Sequence, residues 1–260
     1  MYASELRLVG AGPPLVYVPG MDGTGQLFHR QIHALSRRFR VATYALRDDA
    51  RGMDTLVADL ADVVRAAGGA DGERGADAAA VLVAESFGGA LALSFALAHP
   101  ERVRALVVLN SFPYFRPQAR LRLAIAGIHL MPWGAMRLVR RLTAFRLQSR
   151  HTHRAEIHRF LRVTARTTRH GYLNRLGILT RYDVRDRLAS LRAPTLFLAA
   201  DQDHLIPSVA QARFMAARAP MSAVRVLPGH GHACLLAPDL DLDAILRDWP
   251  PTAEGRAQRM

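Results

Sequence analysis

Three separated segments hold the side chains best suited to do chemistry. Ser86 lies in Val81-Leu-Val-Ala-Glu-Ser-Phe-Gly-Gly-Ala-Leu-Ala-Leu93, Asp201 and Asp203 in Ala200-Asp-Gln-Asp-His-Leu-Ile-Pro207, and His230 and His232 in Gly229-His-Gly-His-Ala-Cys234. A hydroxyl, an imidazole and a carboxylate are the nucleophile, base and orienting acid of acyl transfer. The imidazole takes the hydroxyl proton through one nitrogen and donates to the carboxylate through the other, which fixes its tautomer and stabilises the imidazolium.

The surroundings of Ser86 are the strongest local signal. An apolar strand pattern runs into it and a helical pattern starts directly after it. A sharp strand-to-helix turn lifts the hydroxyl off the sheet on a strained backbone, so the residues two positions to either side must be small. Ala84 and Gly88 meet that demand, although Ala84 departs from the usual G-x-S-x-G spelling. The plainer alternative is that Ser86 caps the following helix and Gly88-Gly89 only permits close packing.

Of the two histidines, His232 follows Gly231 and precedes the last helix, and it is preferred as the base; His230 is read as a neighbouring loop histidine. The oxyanion formed when Ser86 attacks a carbonyl needs backbone N–H donors that are fixed before reaction. Phe87 supplies one as the residue after the nucleophile. Met21, directly after Pro19-Gly20 in the loop Pro19-Gly-Met-Asp-Gly23, is the expected second. Read without chemistry, that loop is a glycine-rich turn in which Asp22 caps the next helix.

These loops need a scaffold. Strand-like runs occur near residues 5–9, at 14–18, 40–46, 79–84, 103–109, 195–200 and 224–227, and helical spacing recurs near 27–38, 56–64, 87–98, 209–219 and 240–249. Such alternation predicts a mainly parallel sheet with helices on both faces. Residues 112–192 break the pattern. They contain no clear β run but show helical spacing at 121–129, 135–142 and 157–166, so the expected division is a core of residues 1–111 and 193–260 with a helical insertion at 112–192.

Composition narrows the class. At 260 residues and 50% hydrophobic, the chain can bury a full core. No apolar run reaches the roughly 18–20 residues that cross a bilayer, and no basic-then-apolar leader opens it, so a cytoplasmic protein is expected. The one cysteine, Cys234, forbids an intramolecular disulfide and cannot alone build a metal site; it reads as a small buried side chain, and neither a metal nor a cofactor is expected. The net charge of +13 is uneven: residues 112–192 hold 18 arginines against Glu156, Asp183 and Asp186, a net of +15, and the chain has no lysine. The simplest reading is arginine-rich composition on solvated helix faces. The sharper one is attraction of anionic substrates or a phospholipid surface, and nucleic acid is not expected as a partner.

The segments 16–25, 81–93, 195–207 and 226–238 together resemble the α/β-hydrolase superfamily, over all of the chain except residues 112–192. The resemblance implies the order serine, acid, histidine, and a carboxylate four residues before Pro207. It thereby selects Asp203 as the acid and leaves Asp201 to structure its loop. It further implies that 112–192 is a lid whose inner face selects the acyl or alcohol part. Asp22-Gly-Thr-Gly25 and Glu85-Ser-Phe-Gly-Gly89 are most similar to esterase, lipase and thioesterase branches. The expectation is therefore a serine hydrolase cleaving carboxylic esters of small molecules through acyl-Ser86. Thioester or carbon–carbon hydrolysis and acyl transfer are alternatives within the class, and a non-catalytic binder using the basic insertion is the rival outside it. Apolar residues of the insertion, among them Leu123, Ile128, Met131, Trp133, Met136, Leu138, Phe145 and Phe160, offer lining for an acyl pocket, but most are expected to pack the lid on the core domain.

Overall fold

A computed structural model describes residues 5–69, 79–115, 123, 126–128 and 130–249. The apolar runs form one seven-stranded sheet: β1 (Arg7–Val9), β2 (Pro14–Val18), β3 (Arg40–Thr43), β4 (Ala80–Glu85), β5 (Val103–Leu109), β6 (Thr195–Ala200) and β7 (Ser222–Leu227), in the order β1-β3-β2-β4-β5-β6-β7. Every neighbouring pair is parallel except β1 with β3, where Leu8 faces Ala42 in antiparallel register. β1 is exposed throughout its length, as suits an edge strand, whereas β4 is buried at all six positions.

The period-2 alternation of the strands divides the core into two layers. Val16, Val18, Leu82, Leu106 and Val108 point to one face, where α2 (Met53–Gly68), α3 (Phe87–Ala98) and α7 (Ser208–Ala216) cover them. Leu15, Tyr17, Val83, Val107 and Leu109 point to the other, covered by α1 (His29–Leu35) and α8 (Leu242–Asp248). Because β2 and β4 to β7 run the same way, the loops after Val18, Glu85, Leu109, Ala200 and Leu227 all emerge at one edge. Those loops carry every residue singled out above, and open α/β sheets place their sites at that edge.

Between β5 and β6 the chain forms α4 (Met136–Leu147), α5 (Arg154–Thr164), α6 (Arg169–Leu179) and a 3-10 turn at Arg185–Ser190. The ends of this segment meet where Tyr114 bridges Asp183 and Val184 N–H donates to Pro113 at 2.8 Å. The helix expected over 121–129 falls mostly outside the described residues. The helix α6 has no counterpart in the sequence reading, because its buried Arg175 interrupts an otherwise apolar inner face. Met136 and Phe160 are buried as expected, but Leu123, Leu138 and Phe145 are exposed; they do not pack in a core. Among the described residues no helix is long and apolar enough to cross a membrane.

Candidate active site

Ser86 stands between β4 and α3 with φ 52° and ψ −119°, in the left-handed region that costs a β-carbon-bearing residue about 1–3 kcal/mol. Its backbone is fastened on both sides: its N–H donates to Leu109 at 2.9 Å, and its carbonyl accepts from Ser111 Oγ at 2.7 Å and Gly89 N–H at 3.0 Å. The small neighbours are a packing requirement. A β-carbon on Gly88 would lie 2.2 Å from the Val18 carbonyl oxygen and 2.6 Å from that of Pro19, both immovable backbone atoms. Gly88→Ala is therefore expected to destabilise the fold by about 1–3 kcal/mol or more, read as a lowered denaturation midpoint. An unchanged midpoint would show that the turn is not sterically locked.

The acid and histidine loops meet at this edge. His232 Nδ1 lies 2.7 Å from Asp203 Oδ2, and the carboxylate side chain is 1% exposed, leaving no room for water to replace that contact. Asp203 also accepts from Leu205 N–H at 2.9 Å, Ile206 N–H at 3.2 Å and Ser208 Oγ at 2.5 Å. Burial opposes its charge, but the His232 ring, Ser208 and the Ile206 amide outweigh burial and hold the carboxyl below its ordinary value. For His232 burial lowers the pKa, while the Asp203 charge, their hydrogen bond and the Glu85 charge together raise it above the usual imidazole value. Among the described residues the Ser86 hydroxyl makes no hydrogen bond to His232. Asp201 accepts from Gly229 N–H at 2.8 Å, which ties its loop to the histidine loop. His230 is buried beside Ser149 Oγ at 2.9 Å, away from the Asp203 pair.

Nothing in the local sequence pattern gives Asn110 or Glu85 a role in the site. Asn110, φ 45°, follows β5 and accepts from Ala200 N–H at 2.8 Å while donating to the His232 carbonyl at 2.8 Å, so one amide joins the ends of β5 and β6 to the histidine loop. Glu85 is buried, and the Tyr17 hydroxyl donates to it. Desolvation raises its pKa to about 7 against the opposing effect of the Tyr17 hydrogen bond. A raised carboxyl pKa means the folded state holds its proton more tightly than the unfolded chain. Stability then falls as pH rises from about 4.5 to about 7. Glu85→Gln is expected to flatten that decline by up to a few kcal/mol, measured as unfolding free energy against pH; an identical slope in both proteins would remove Glu85 as its source. Cys234 is fully buried and Asn110 Nδ2 approaches its sulfur at 3.4 Å; burial raises the thiol pKa, so it is a poor nucleophile. Among the described residues no group of three His, Cys, Asp or Glu side chains is placed to hold a metal.

The loop Pro19–Gly25 lies across from Ser86. Gly20 comes so close that a β-carbon there would be 3.6 Å from Ser86 Cβ. Gly23, φ 70°, closes a turn with its N–H on the Gly20 carbonyl at 3.0 Å, and Asp22 Oδ2 accepts from Thr24 N–H at 2.9 Å. Asp22 thus orders its own turn; it does not cap α1.

The sequence profile described as "alpha/beta hydrolase fold" matches residues 13–237. RutD of Serratia proteamaculans, named as a candidate carbamate hydrolase, is 30% identical over 250 residues, covering 91% of this chain and 90% of its own. A thermophilic esterase from Thermogutta terrifontis superposes with a TM-score of 0.76 at 22% identity, over 94% of this chain and 91% of its own. An enol-lactonase from Burkholderia xenovorans gives 0.74 at 18% identity, over 88% and 89%.

Proposed function

Because this chain belongs to the α/β-hydrolase fold family, we propose that it is a serine hydrolase of carboxylic esters in which Ser86 is the nucleophile, His232 the base and Asp203 the orienting acid. The observation that carries the reading is the buried 2.7 Å contact from His232 Nδ1 to Asp203 Oδ2 at the same sheet edge as a serine on a positive-φ turn. Ser86 Oγ attacks the carbonyl carbon as its proton passes to His232 Nε2. The N–H groups of Met21 and Phe87 receive the developing oxyanion. Collapse expels the alcohol with the proton from His232. Water, deprotonated by His232, then attacks acyl-Ser86 and releases the acid. The cycle requires Ser86 and His232 to come within hydrogen-bond reach once a carbonyl is bound, a contact that tightens in reacting complexes.

On the same reading, residues 112–192 form a lid over this edge, supported by its meeting ends at Pro113 and Val184 and by Ala233 N–H donating to Leu147 at 2.8 Å. The substrate is a small molecule, and a reducing, cytoplasmic setting accords with one buried free cysteine. The likeness to RutD favours a second substrate, a carbamate, whose carbonyl the same groups would attack. Hydrolysis of p-nitrophenyl esters from acetate to long acyl chains, alongside simple carbamates, tests the choice. Ester turnover supports the first reading, carbamate turnover alone replaces it with the second, and turnover of neither overturns both.

A further inference from the structure

Fastened to the Pro19–Gly25 loop are side chains of the insertion that the mechanism above does not use. Arg175, on α6, is 2% exposed, yet its guanidinium does not end in solvent or on another helix of the insertion. Its Nε donates to the Met21 carbonyl at 3.1 Å and its Nη1 to Asp48 Oδ1 at 3.2 Å. Eight residues earlier, Thr167 Oγ1 donates to the Asp22 carbonyl at 3.0 Å. Two consecutive carbonyls of one core loop are thus held by two side chains of the insertion.

The approach is built in from both sides. A β-carbon on Gly23 would lie 2.8–3.0 Å from the guanidinium, and one on Gly171 would lie 1.8 Å from Asp48 Oδ1. Only glycine at these places lets Arg175 settle over the loop and α6 reach Asp48. Asp48 is itself fixed to α6, accepting from Thr168 Oγ1 at 2.6 Å through its carboxylate and from Asn174 Nδ2 at 2.8 Å through its carbonyl. A buried guanidinium is costly without partners. Here it has a carboxylate and a carbonyl, and its planar fork fixes their relative direction as a lysine could not.

We infer that Arg175, assisted by Thr167, is a positioning residue that sets the backbone of the oxyanion loop from the insertion, so that the Met21 N–H points at the oxygen of the tetrahedral intermediate. The inference rests on the proposed Met21 and Phe87 donors. Holding the carbonyls of Met21 and Asp22 fixes the two peptide planes that follow Met21, while the Gly20 carbonyl, in the same plane as the Met21 N–H, accepts from Gly23 N–H at 3.0 Å, so the Met21 amide is clamped from both ends. The donor is then aimed before substrate arrives, and a donor displaced by a fraction of an ångström is worth little to the transition state.

The test uses the full chain as Arg175→Met, Arg175→Lys and Thr167→Val, measuring kcat and KM with the best p-nitrophenyl ester and inhibition by an alkyl boronic acid, which forms a tetrahedral adduct on serine. Arg175→Met is expected to lower kcat roughly 10- to 100-fold with KM within about threefold, and to weaken the boronate by the same factor as kcat/KM. Arg175→Lys recovers part of that loss, and Thr167→Val shows a smaller fall of the same kind. A raised KM at unchanged kcat, or an unchanged boronate affinity, would overturn the inference and leave Arg175 as packing. If Arg175→Met does not fold, Arg175→Lys and Thr167→Val decide by the same split. Loss of boronate binding and turnover in Ser86→Ala with full activity in all three variants would sink this inference alone. Wild type that neither turns over esters nor binds boronate would instead sink the reading beneath it.

Discussion

Ser86→Ala is expected to reduce kcat/KM for p-nitrophenyl esters roughly 10⁴- to 10⁶-fold, because without the hydroxyl no acyl-enzyme forms and only the bound geometry and the oxyanion donors remain. Folding should hardly change. The three hydrogen bonds that fasten residue 86 are made by its backbone, to Leu109, Ser111 and Gly89, and alanine keeps them all. Unfolding free energy is therefore expected within about 0.5 kcal/mol of wild type. Paired measurements of turnover and denaturation separate a catalytic loss from a loss of fold. A large kinetic loss with intact stability marks a nucleophile. Intact kinetics would overturn the proposed mechanism, since the Ser86 side chain makes no capping hydrogen bond to lose instead.

The second large effect concerns the charge behind His232. Protonated His232 cannot accept the Ser86 proton, so kcat/KM is expected to fall as pH drops through the histidine's pKa, which its surroundings raise above the ordinary 6.5. In Asp203→Asn the strongest raising influences, the Asp203 charge and its hydrogen bond, are lost, so the acid limb should move to lower pH. The plateau should fall roughly 10³- to 10⁴-fold, since an amide no longer selects the productive tautomer. Glu85 also raises the His232 pKa, and Glu85→Gln should move the limb the same way by less, with a far smaller plateau loss. A pH–rate profile of the three proteins checks this. A limb that stays in place in Asp203→Asn would show that Asp203 is not the electrostatic partner, whatever its distance from the ring.

The family was legible because the sheet and the elbow write themselves locally. Buried parallel strands must be largely apolar runs, and β4, β5 and β6 are that but for Arg104 and the closing Glu85; a serine at positive φ must have small neighbours, and Ala84 and Gly88 announce it. In the sequence, only the family resemblance separates Asp203 from Asp201. Its separation from Asp201 in space has a simple cause: Asp201 is taken up by Gly229 N–H, while Asp203 lies where three local donors and the His232 ring converge. Element ends differ from the periodicity by a few residues: β3 stops at Thr43 rather than 46, and α7 at Ala216 rather than 219, where a hydrogen-bonded turn with Ala219 N–H on the Met215 carbonyl follows it.

By itself, then, the sequence determined the layered α/β core, the turn that bears Ser86 and the order of the loops that follow it, since each depends on neighbours within a few residues. Only the tertiary structure decided what long-range contacts control. Asn110 joins the acid and histidine loops; Glu85 is paired with Tyr17 beneath the turn; and Arg175, from the arginine-rich insertion, is drawn inside to grip the Met21 carbonyl. Nothing in the local pattern marks Arg175. A guanidinium is solvated or buried according to whether a carboxylate and a carbonyl distant in the chain are brought to meet it, and that meeting exists only after the chain has folded.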